Sequence, residues 1–379
     1  MSNYRTRTVD SLAEIGQARW DALLALQADA TPFLSYAFLH ALHESGCVSK
    51  RSGWEPRYLT LWQGETLAAA MPLYLKWHSY GEYVFDWAWA DAYQRHGLDY
   101  YPKLLSAIPF TPVSGTRLLA RDAAALSALV AALHDLRADG ASSSTHVLYP
   151  PPAQAEVLRD AGFMLRSGVQ FHWLNHGYRD FGDFLDTLEQ KKRKNIRAER
   201  RRVAEAGITF RQLPGMEISS DDWNFFTRCY NRTYATHGST PYLNLDFFLR
   251  IGAAMPENIL LIVAERVGKP IAASLVIHTA DTLYGRYWGA IEHFACLHFE
   301  TAYYQALEFC IRQRLRCFEG GAQGEHKMAR GFLPQRTWSA HWLAHPAFAD
   351  AVEHFLQREA GGVETYLDEL NERNPFRRI

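Results

Sequence analysis

The chain of 379 residues has 40 Lys and Arg against 41 Asp and Glu, a net charge of -1 and 48% hydrophobic residues. This balance excludes a general electrostatic attraction to nucleic acid or membrane, so any such attraction must be local. The length is too great for one ordinary core and predicts two to three domains of roughly 150 residues each.

The first half of the chain is predicted to contain helices and a meander of strands, because its apolar residues recur at helical spacing in some segments and at strand spacing in others. Helices are expected at residues 10–26, 36–45, 100–107, 122–138 and 153–161. Strands are expected at residues 57–62, 67–77, 81–88, 145–149 and 169–175.

In the second half of the chain, helical periodicity predicts the helices and glycines predict where elements end. The expected elements are a long helix at residues 183–206, a helix at 301–314, a strand at 315–319 and an amphipathic helix at 347–359. Gly361 and Gly362 are expected to break this last helix before a short helix that ends at Glu372.

An internal duplication is indicated by segments that match in the same order. The matched segments are residues 64–83 with 268–287, residues 32–35 with 241–244, and residues 100–101 with 303–304. The sequence therefore predicts two similar α/β lobes in tandem. The predicted division is 1–175 for the first lobe, 176–207 for a basic linker helix, 208–345 for the second lobe and 346–379 for C-terminal helices.

The predicted linker helix has a strongly basic surface. Its cations are Lys191, Lys192, Arg193, Lys194, Arg197, Arg200, Arg201 and Arg202, opposed in sequence only by Glu199. Like charges three and four residues apart on a helix repel each other, so a bound anion would relieve a cost. The functional interpretation is a phosphate-bearing ligand held by Lys194 and Arg197. The alternative is an ordinary solvated helix surface.

The segment after the predicted strand at residues 315–319 carries most of the candidate chemistry. Three glycines between residues 320 and 324 free the backbone from the usual φ and ψ limits. They are followed by an acid, a near-neutral base and two cations, which are Glu325, His326, Lys327 and Arg330. A solvated turn is the alternative interpretation.

These residue types suggest roles in a proton-transfer reaction. Glu325 or His326 would accept a proton, with Glu300 as a further candidate base. The alternative for Glu300 is a carboxylate that faces a helix dipole. Lys327, Arg330 and Arg286 would bind phosphate or carboxylate groups of the substrates. No metal is expected, because neither His-x-x-x-His nor a tight Cys/His cluster occurs.

A second polar group lies in the first predicted lobe. Asp86, Trp87 and Asp91, with Trp89 and Tyr93, combine carboxylates with aromatic walls in a way suited to a sugar or peptide acceptor. The alternative is a core strand with a polar end.

Cysteine use and hydropathy bear on location. The five cysteines show neither CxxC nor CxxH spacing, which favours a reduced chain with buried thiols. Residues 1–20 lack the apolar core of a signal peptide, and no stretch approaches the roughly 18 apolar residues of a membrane span. The expected location is the cytoplasm, and the sequence gives no oligomeric state.

The order of predicted elements resembles the Gcn5-related acyltransferase (GNAT) fold, present twice, as in the Fem-type aminoacyltransferases. Residues 192–197, KRKNIR, resemble the basic Asn-Ile-Arg helix of the Fem proteins, and residues 319–321, EGG, with Lys327 and residues 331–332, GF, resemble their strand and loop. Closer resemblance to the bacterial FemAB-like family is carried by residues 32–34, 81–86, 100–103, 109–112, 284–289, 297–300 and 323–327. Tyr284 and Gln323 in these segments complete the predicted substrate-binding residues.

This resemblance implies two tandem lobes, each a mixed, mostly antiparallel sheet flanked by helices. It also implies transfer of an aminoacyl or acetyl group to an amine, such as a peptidoglycan precursor or another peptide or amino compound. The chain lacks the Arg/Gln-x-x-Gly-x-Gly/Ala motif with which GNAT enzymes hold coenzyme A. The implied donor is aminoacyl-tRNA or acyl-CoA, with no tightly bound cofactor, and the missing motif favours aminoacyl-tRNA. The alternative function is a non-catalytic protein that binds RNA or a phosphate ligand through the basic helix.

Overall fold

The computed structural model describes residues 4–377 except residues 139, 141 and 323. The chain forms two compact units, Met1–Val169 with Arg336–Tyr366, and Gln170–Gln335 with Leu367–Ile379. Each unit is built from two separate segments of the chain, whereas each predicted lobe is one continuous segment. Residues 336–345 group with the first unit, and the basic helix is part of the second unit rather than a separate linker.

Strands and helices occur along the whole described chain. The strands are β1 (Arg5–Val9), β2 (Trp54–Pro56), β3 (Tyr58–Gln63), β4 (Thr66–Met71), β5 (Tyr74–Lys76), β6 (Lys103–Ser106), β7 (Leu119–Ala120), β8 (Ser144–Leu148), β9 (Met164–Leu174), β10 (Ile208–Pro214), β11 (Ile259–Arg266), β12 (Lys269–His278), β13 (Thr282–Ala290), β14 (Cys317–Glu319) and β15 (Leu333–Leu343). The helices are α1 (Gln17–Leu24), α2 (Tyr36–Glu44), α3 (Trp87–Arg95), α4 (Ala123–Ala138), α5 (Pro152–Asp160), α6 (Phe181–Thr187), α7 (Gln190–Glu205), α8 (Ser220–Thr236), α9 (Leu245–Ala254), α10 (Leu297–Phe299), α11 (Gln305–Gln313) and α12 (Pro346–Glu372).

The first unit contains two sheets. One is antiparallel in the order β1-β3-β4-β7. In the other, β2, β5, β6 and β8 follow one another, and β8 pairs with the end of β15. The β6–β8 pair is parallel. The core of this unit lies where α4 packs on β3 and β4, with Leu59, Met71 and Leu129 buried.

The second unit has a sheet in which β10, β11, β12 and β13 are antiparallel neighbours. β14 then joins β13 in parallel and the end of β9 in antiparallel orientation. Helix α8 packs on β12 and β13. The run Ile259–Ala264 in β11 is buried on both faces, as expected for a central strand with an unbroken apolar sequence.

Several predicted elements are wrong, and each has a local cause. Residues 81–88 are not a strand, because α3 begins at Trp87. Residues 100–107 are not a helix, because the short buried run Lys103–Ser106 pairs with both β5 and β8. Short apolar runs fit either structure, and partners decide between them. The predicted helix at 183–206 is interrupted by extended backbone at Leu188 and Glu189.

The predicted duplication is matched by local structure in part. Ser35 caps α2 by accepting from the Phe38 N–H, and Asn244 caps α9 by accepting from the Phe247 N–H. The aligned Gly64 and Gly268 both have positive φ in two-residue hairpin turns. Residues 100–101 precede a strand, however, whereas residues 303–304 are helical, so this pair is not equivalent.

Helix α12 runs without a break through Gly361 and Gly362, contrary to the prediction. A Cβ at either glycine would meet no atom within 4 Å. Because alanine loses less backbone entropy than glycine in a helix, we expect Gly361→Ala and Gly362→Ala each to raise the free energy of unfolding by about 0.5–1 kcal/mol. Urea denaturation measures this effect, and a decrease in stability would show that the helix is not continuous here.

Candidate active site

The strand pair β13–β14 creates the candidate site in the second unit. The two strands are parallel over three residue pairs, from Thr282 with Cys317 to Tyr284 with Glu319. β14 ends there, and Gly320 and Gly321 turn the chain away while β13 continues. Gly321 has φ +80°, which favours glycine. In α/β proteins, ligands commonly bind beyond the carboxyl ends of parallel strands.

Four side chains from this region form what we call the strand-end cluster, His172, Arg286, Glu319 and Lys327. Glu319 lies opposite His172 in the β9–β14 ladder, with 3.9 Å between Oε2 and Nε2. Both atoms are buried, and neither has a hydrogen-bond partner among the described residues. A buried acid and imidazole without partners are unusual in a purely structural position.

Burial sets the protonation of this pair. It raises the pKa of Glu319 to about 8, although the Arg286 guanidinium acts in the opposite direction. Burial, with a smaller contribution from the Lys327 ammonium, lowers the pKa of His172 to about 4. The pair is therefore neutral at pH 7, and Glu319 becomes a carboxylate only slightly above neutrality, where a general base is effective.

Lys327 is buried in the turn that follows β14. Its Nζ donates to the Gly321 carbonyl at 3.0 Å, and burial lowers its pKa to about 8. A Cβ at Gly320 would lie 3.0 Å from Lys327 Cδ, so the glycine makes room for the lysine stem. The turn thus adds to the cluster a lysine whose ammonium group loses its proton slightly above neutral pH.

The raised pKa of Glu319 predicts a pH dependence of stability. Between its ordinary pKa of 4.5 and about 8, the folded state keeps a proton that the unfolded state has lost. Stability therefore falls as pH rises through this window, by up to about 5 kcal/mol for this group. We expect Glu319→Gln to unfold at higher urea concentration than the wild type at pH 8.5, with the difference shrinking toward pH 4.5. Parallel pH profiles for the two proteins would contradict the assigned pKa.

The predicted bases Glu325 and His326 lie at the start of a 3₁₀ helix, Glu325–Arg330, and both are exposed. Glu325 forms an ion pair of 3.0 Å with Arg373. His326 Nε2 is 3.2 Å from the Tyr303 hydroxyl oxygen. Partial burial and the neighbouring cations Lys327 and Arg330 lower the pKa of His326.

Arg330 is buried and already has partners within the second unit. It donates to Glu199 at 2.9 and 3.0 Å and to the His326 carbonyl at 2.7 Å. Its guanidinium lies 3.5 Å from the centre of the Phe299 ring, and Glu199 also accepts from the Tyr304 hydroxyl. This contact set fixes α7 to the 3₁₀ helix, and Arg330 would bind substrate only by exchanging the Glu199 contact.

Glu300 begins a π-helical segment, Glu300–Tyr304, between α10 and α11. It is buried and accepts from Arg200 at 3.0–3.2 Å and from Gln305 at 2.8 Å. π-Helical turns occur frequently at functional sites. A pocket of about 440 Å³ brings Glu300, Arg197 and Arg200 together.

The basic helix α7 has more acidic partners than the sequence alone shows. Asp186 lies 3.2 Å from Arg193 and 3.6 Å from Arg197, and Arg200 pairs with Glu300 and Glu308. Lys194 and Arg197 are exposed. Tertiary contacts thus neutralise part of the helix, and the remaining cations face solvent.

The other predicted substrate-binding residues belong to both units: Tyr284 and Arg286 lie on β13 in the second unit, and residues 86, 87 and 91 belong to the first unit. Asp86 is buried in an ion pair with Lys103, whereas Trp87 and Asp91 are exposed on α3. Tyr284 is buried, and Arg286 lies 3.3 Å from the Tyr287 hydroxyl. Gln323 lies outside the described residues.

Sequence reasoning missed Glu319 and His172 as candidate site residues. An acid at the end of a strand, directly before two glycines, was a usable signal for Glu319. His172 carried no signal, because its place opposite Glu319 follows from the pairing of strands that are distant in sequence.

Solved structures with low sequence identity define the class of fold. FemX is 10% identical, with 92% of this chain and 100% of that chain covered and a TM-score of 0.56. The C-terminal domain of a putative lysylphosphatidylglycerol synthetase from Agrobacterium fabrum is 12% identical, covers 89% and 94% of the two chains, and has a TM-score of 0.54. L-PGS from Bacillus licheniformis is 11% identical, covers 92% and 97%, and has a TM-score of 0.52. The predicted α/β class, with mixed sheets and flanking helices, is confirmed.

The family follows from the sequence match. The family model FemAB-like, described as peptidoglycan biosynthesis/recognition, matches residues 11–378. The chain belongs to the FemAB-like family. A search of curated proteins found no match.

Two further findings concern membrane-spanning helices and thiols. Among residues 4–377, with the three gaps named above, no helix is long and apolar enough to span a membrane. Cys47, Cys229, Cys310 and Cys317 are buried free thiols, and Cys296 is partly exposed.

Proposed function

We propose that this protein is an acyltransferase that forms an amide bond at the strand-end cluster. The observation that carries the proposal is Glu319 at the end of the β13–β14 parallel pair, a largely buried carboxyl group with a pKa raised to about 8. Membership of the FemAB-like family and a fold shared with FemX support a transferase. Perturbed carboxyl groups of this kind are typical of active sites.

The chemistry assigns a task to each side chain. The acceptor amine attacks the carbonyl carbon of an ester or thioester, so a C–N bond forms and a C–O or C–S bond breaks. Glu319, as a carboxylate, takes the proton that the amine loses and then donates it to the leaving oxygen or sulfur, which is released as hydroxyl or thiol. The Lys327 ammonium stabilises the negative charge that develops on the carbonyl oxygen. Arg286 binds a phosphate or carboxylate group of a substrate.

Aminoacyl-tRNA is the proposed donor and a peptidoglycan precursor the proposed acceptor. The exposed cations of α7, which include Lys194 and Arg197, support a donor with many phosphates. The coenzyme A loop motif is missing from the sequence, which argues against acetyl-CoA. Binding without catalysis is the competing function, and it predicts affinity for RNA with no transfer.

The test uses the purified full-length protein with a radiolabelled acyl donor and a UDP-linked muropeptide. Aminoacyl-tRNA and acetyl-CoA are compared as donors, and the product is analysed by mass spectrometry for the added amide. We expect transfer from aminoacyl-tRNA. If neither donor gives a product while tRNA binds tightly, the non-catalytic function is correct instead.

A further inference from the structure

A pocket of about 820 Å³ lies in the second unit at the amino-terminal end of β14. Its walls are the β9–α6 connection and the turn from α11 to β14. Four of its lining residues are arginines, and we call it the arginine pocket after Arg179, Arg312, Arg314 and Arg316. The strand-end cluster lies at the other end of β14, so the two sites are separate.

The cations of the arginine pocket are only partly neutralised. Arg179 pairs with Asp183 at 3.0 Å and Arg316 with Asp281 at 2.9 Å, but the two arginine side chains are 82% and 68% exposed. Exposed ion pairs contribute little and exchange partners easily. Arg312 and Arg314 form no ion pair with any described residue, although Arg312 donates to the Gln212 side chain. Two acids, Asp180 and Glu308, also line the pocket, and Glu308 pairs with Arg200. A bound anion would therefore find the Arg314 guanidinium without a partner among the described residues, and the exposed Arg179 and Arg316 able to exchange theirs.

Asn175 joins the two walls of the pocket through hydrogen bonds. Its backbone N–H donates to the Arg316 carbonyl at 2.8 Å, and its side-chain Nδ2 donates to the Leu315 carbonyl at 3.0 Å. Its Oδ1 accepts from the N–H groups of Gly177 and Tyr178 at 3.0 and 3.1 Å. The two walls are thus cross-linked, and a ligand would bind without first ordering them.

Arg314 occupies an unusual backbone position. It caps the C-terminus of α11 with φ 58° and ψ 31°, in the left-handed region. Glycine or asparagine is the usual residue at such a cap, because a larger side chain is strained there. Among the described residues, the Arg314 side chain makes no hydrogen bond or ion pair that would offset the energy of this strain. Strain at a position of this kind points to a function of the side chain.

We propose that the arginine pocket binds the phosphate groups of a nucleotide-containing ligand. Its volume falls within the range of about 300–1,000 Å³ typical of small-molecule sites. Arginine is the preferred residue for phosphate because its fork of donors binds two oxygens at once. The phosphates belong either to a free nucleotide or to the end of an RNA, and the test separates these two sources. The inference does not depend on acyl transfer.

The test measures binding to the full-length protein and to Arg314→Gly. Calorimetric titrations use inorganic pyrophosphate and ADP, and filter binding uses deacylated tRNA. Because glycine relieves the left-handed strain, we expect Arg314→Gly to raise Tm by about 1–2 °C. It should also weaken binding about tenfold through the loss of a charged hydrogen bond. ADP binding tighter than pyrophosphate binding identifies a free nucleotide, and tRNA binding without ADP binding identifies an RNA end.

Val267→Gly is the matched control. Val267 also has a left-handed backbone, with φ 51°, it is 89% exposed, and it does not line the pocket. This variant should raise Tm without changing the affinity for any probe. The proposal is overturned if no probe binds the wild type, or if Arg314→Gly and Arg312→Ala both bind the probes as the wild type does.

Discussion

Glu319→Gln is expected to reduce the rate of amide formation about 100-fold or more. Glutamine keeps the size of the side chain but cannot accept the proton of the amine, and general-base catalysis is commonly worth 10²–10⁴-fold. In the wild type, kcat/KM should rise with pH toward about 8, the value to which burial raises the pKa of Glu319, and should fall at higher pH, because burial lowers the pKa of Lys327 to about 8 and its ammonium is then lost. The variant should lose this rise. Steady-state transfer rates between pH 6 and 9 measure both effects.

Glu325→Gln is the control for this experiment. Glu325 is exposed and paired with Arg373, so its substitution should leave transfer close to the wild-type rate. The opposite result, with Glu325→Gln inactive and Glu319→Gln active, would restore the assignment made from the sequence alone. Far-UV circular dichroism of both variants separates a catalytic defect from a folding defect.

Lys103→Met is expected to lower the free energy of unfolding by about 3–5 kcal/mol at pH 7, the usual cost of breaking a buried ion pair. The Lys103 side chain is fully buried and donates to Glu82 at 2.8 Å, to Ser79 at 2.9 Å and to Asp86. Methionine fills a similar volume but leaves two buried carboxyl groups without this cation. Urea denaturation of the full-length protein measures the loss.

The pH dependence of Lys103→Met has a definite sign. Burial by itself raises the pKa of Asp86, but the Lys103 ammonium outweighs burial and holds that pKa well below its usual range. In the wild type, this stabilisation is present at neutral pH and is lost as pH falls through the folded pKa. That loss lies below about pH 4, but in the variant burial without the ammonium raises the pKa of Asp86, so the folded variant takes up a proton and its deficit should shrink as pH falls from 7 to 4.

The exposed Lys194→Met provides the control, with an expected change within about 0.5 kcal/mol. A deficit below about 1 kcal/mol for Lys103→Met would show that Glu82 and Asp86 find other partners, of which Lys76, 3.8 Å from Glu82, is the nearest cation.

Local patterns in the sequence were sufficient to predict an element where the hydrogen bonds or burial that define it involve residues close together in the chain. The helices α2 and α4 were predicted from their periodicity because helix hydrogen bonds join residues four apart. The buried run of β8 was also readable. The run Lys103–Ser106 was not, because its strand character comes from β5 and β8.

For the candidate site, the sequence pointed to the glycine-rich segment after β14 but not to the contacts that its residues make. The Gly320-Gly321 turn and Lys327 were recognised from composition. The exposure of Glu325, the Arg330–Glu199 pair and the contact of Glu319 with His172 were not, because each joins elements far apart in the chain or depends on burial.

The sequence by itself determined the family, the α/β class and the glycine-rich turn that carries Lys327, since these depend on residue order and local spacing. Only the tertiary structure decided which carboxyl group is buried, which cations are already paired and which remain available. The physical reason is that burial and strand pairing shift pKa values and neutralise charges through residues that are distant in sequence.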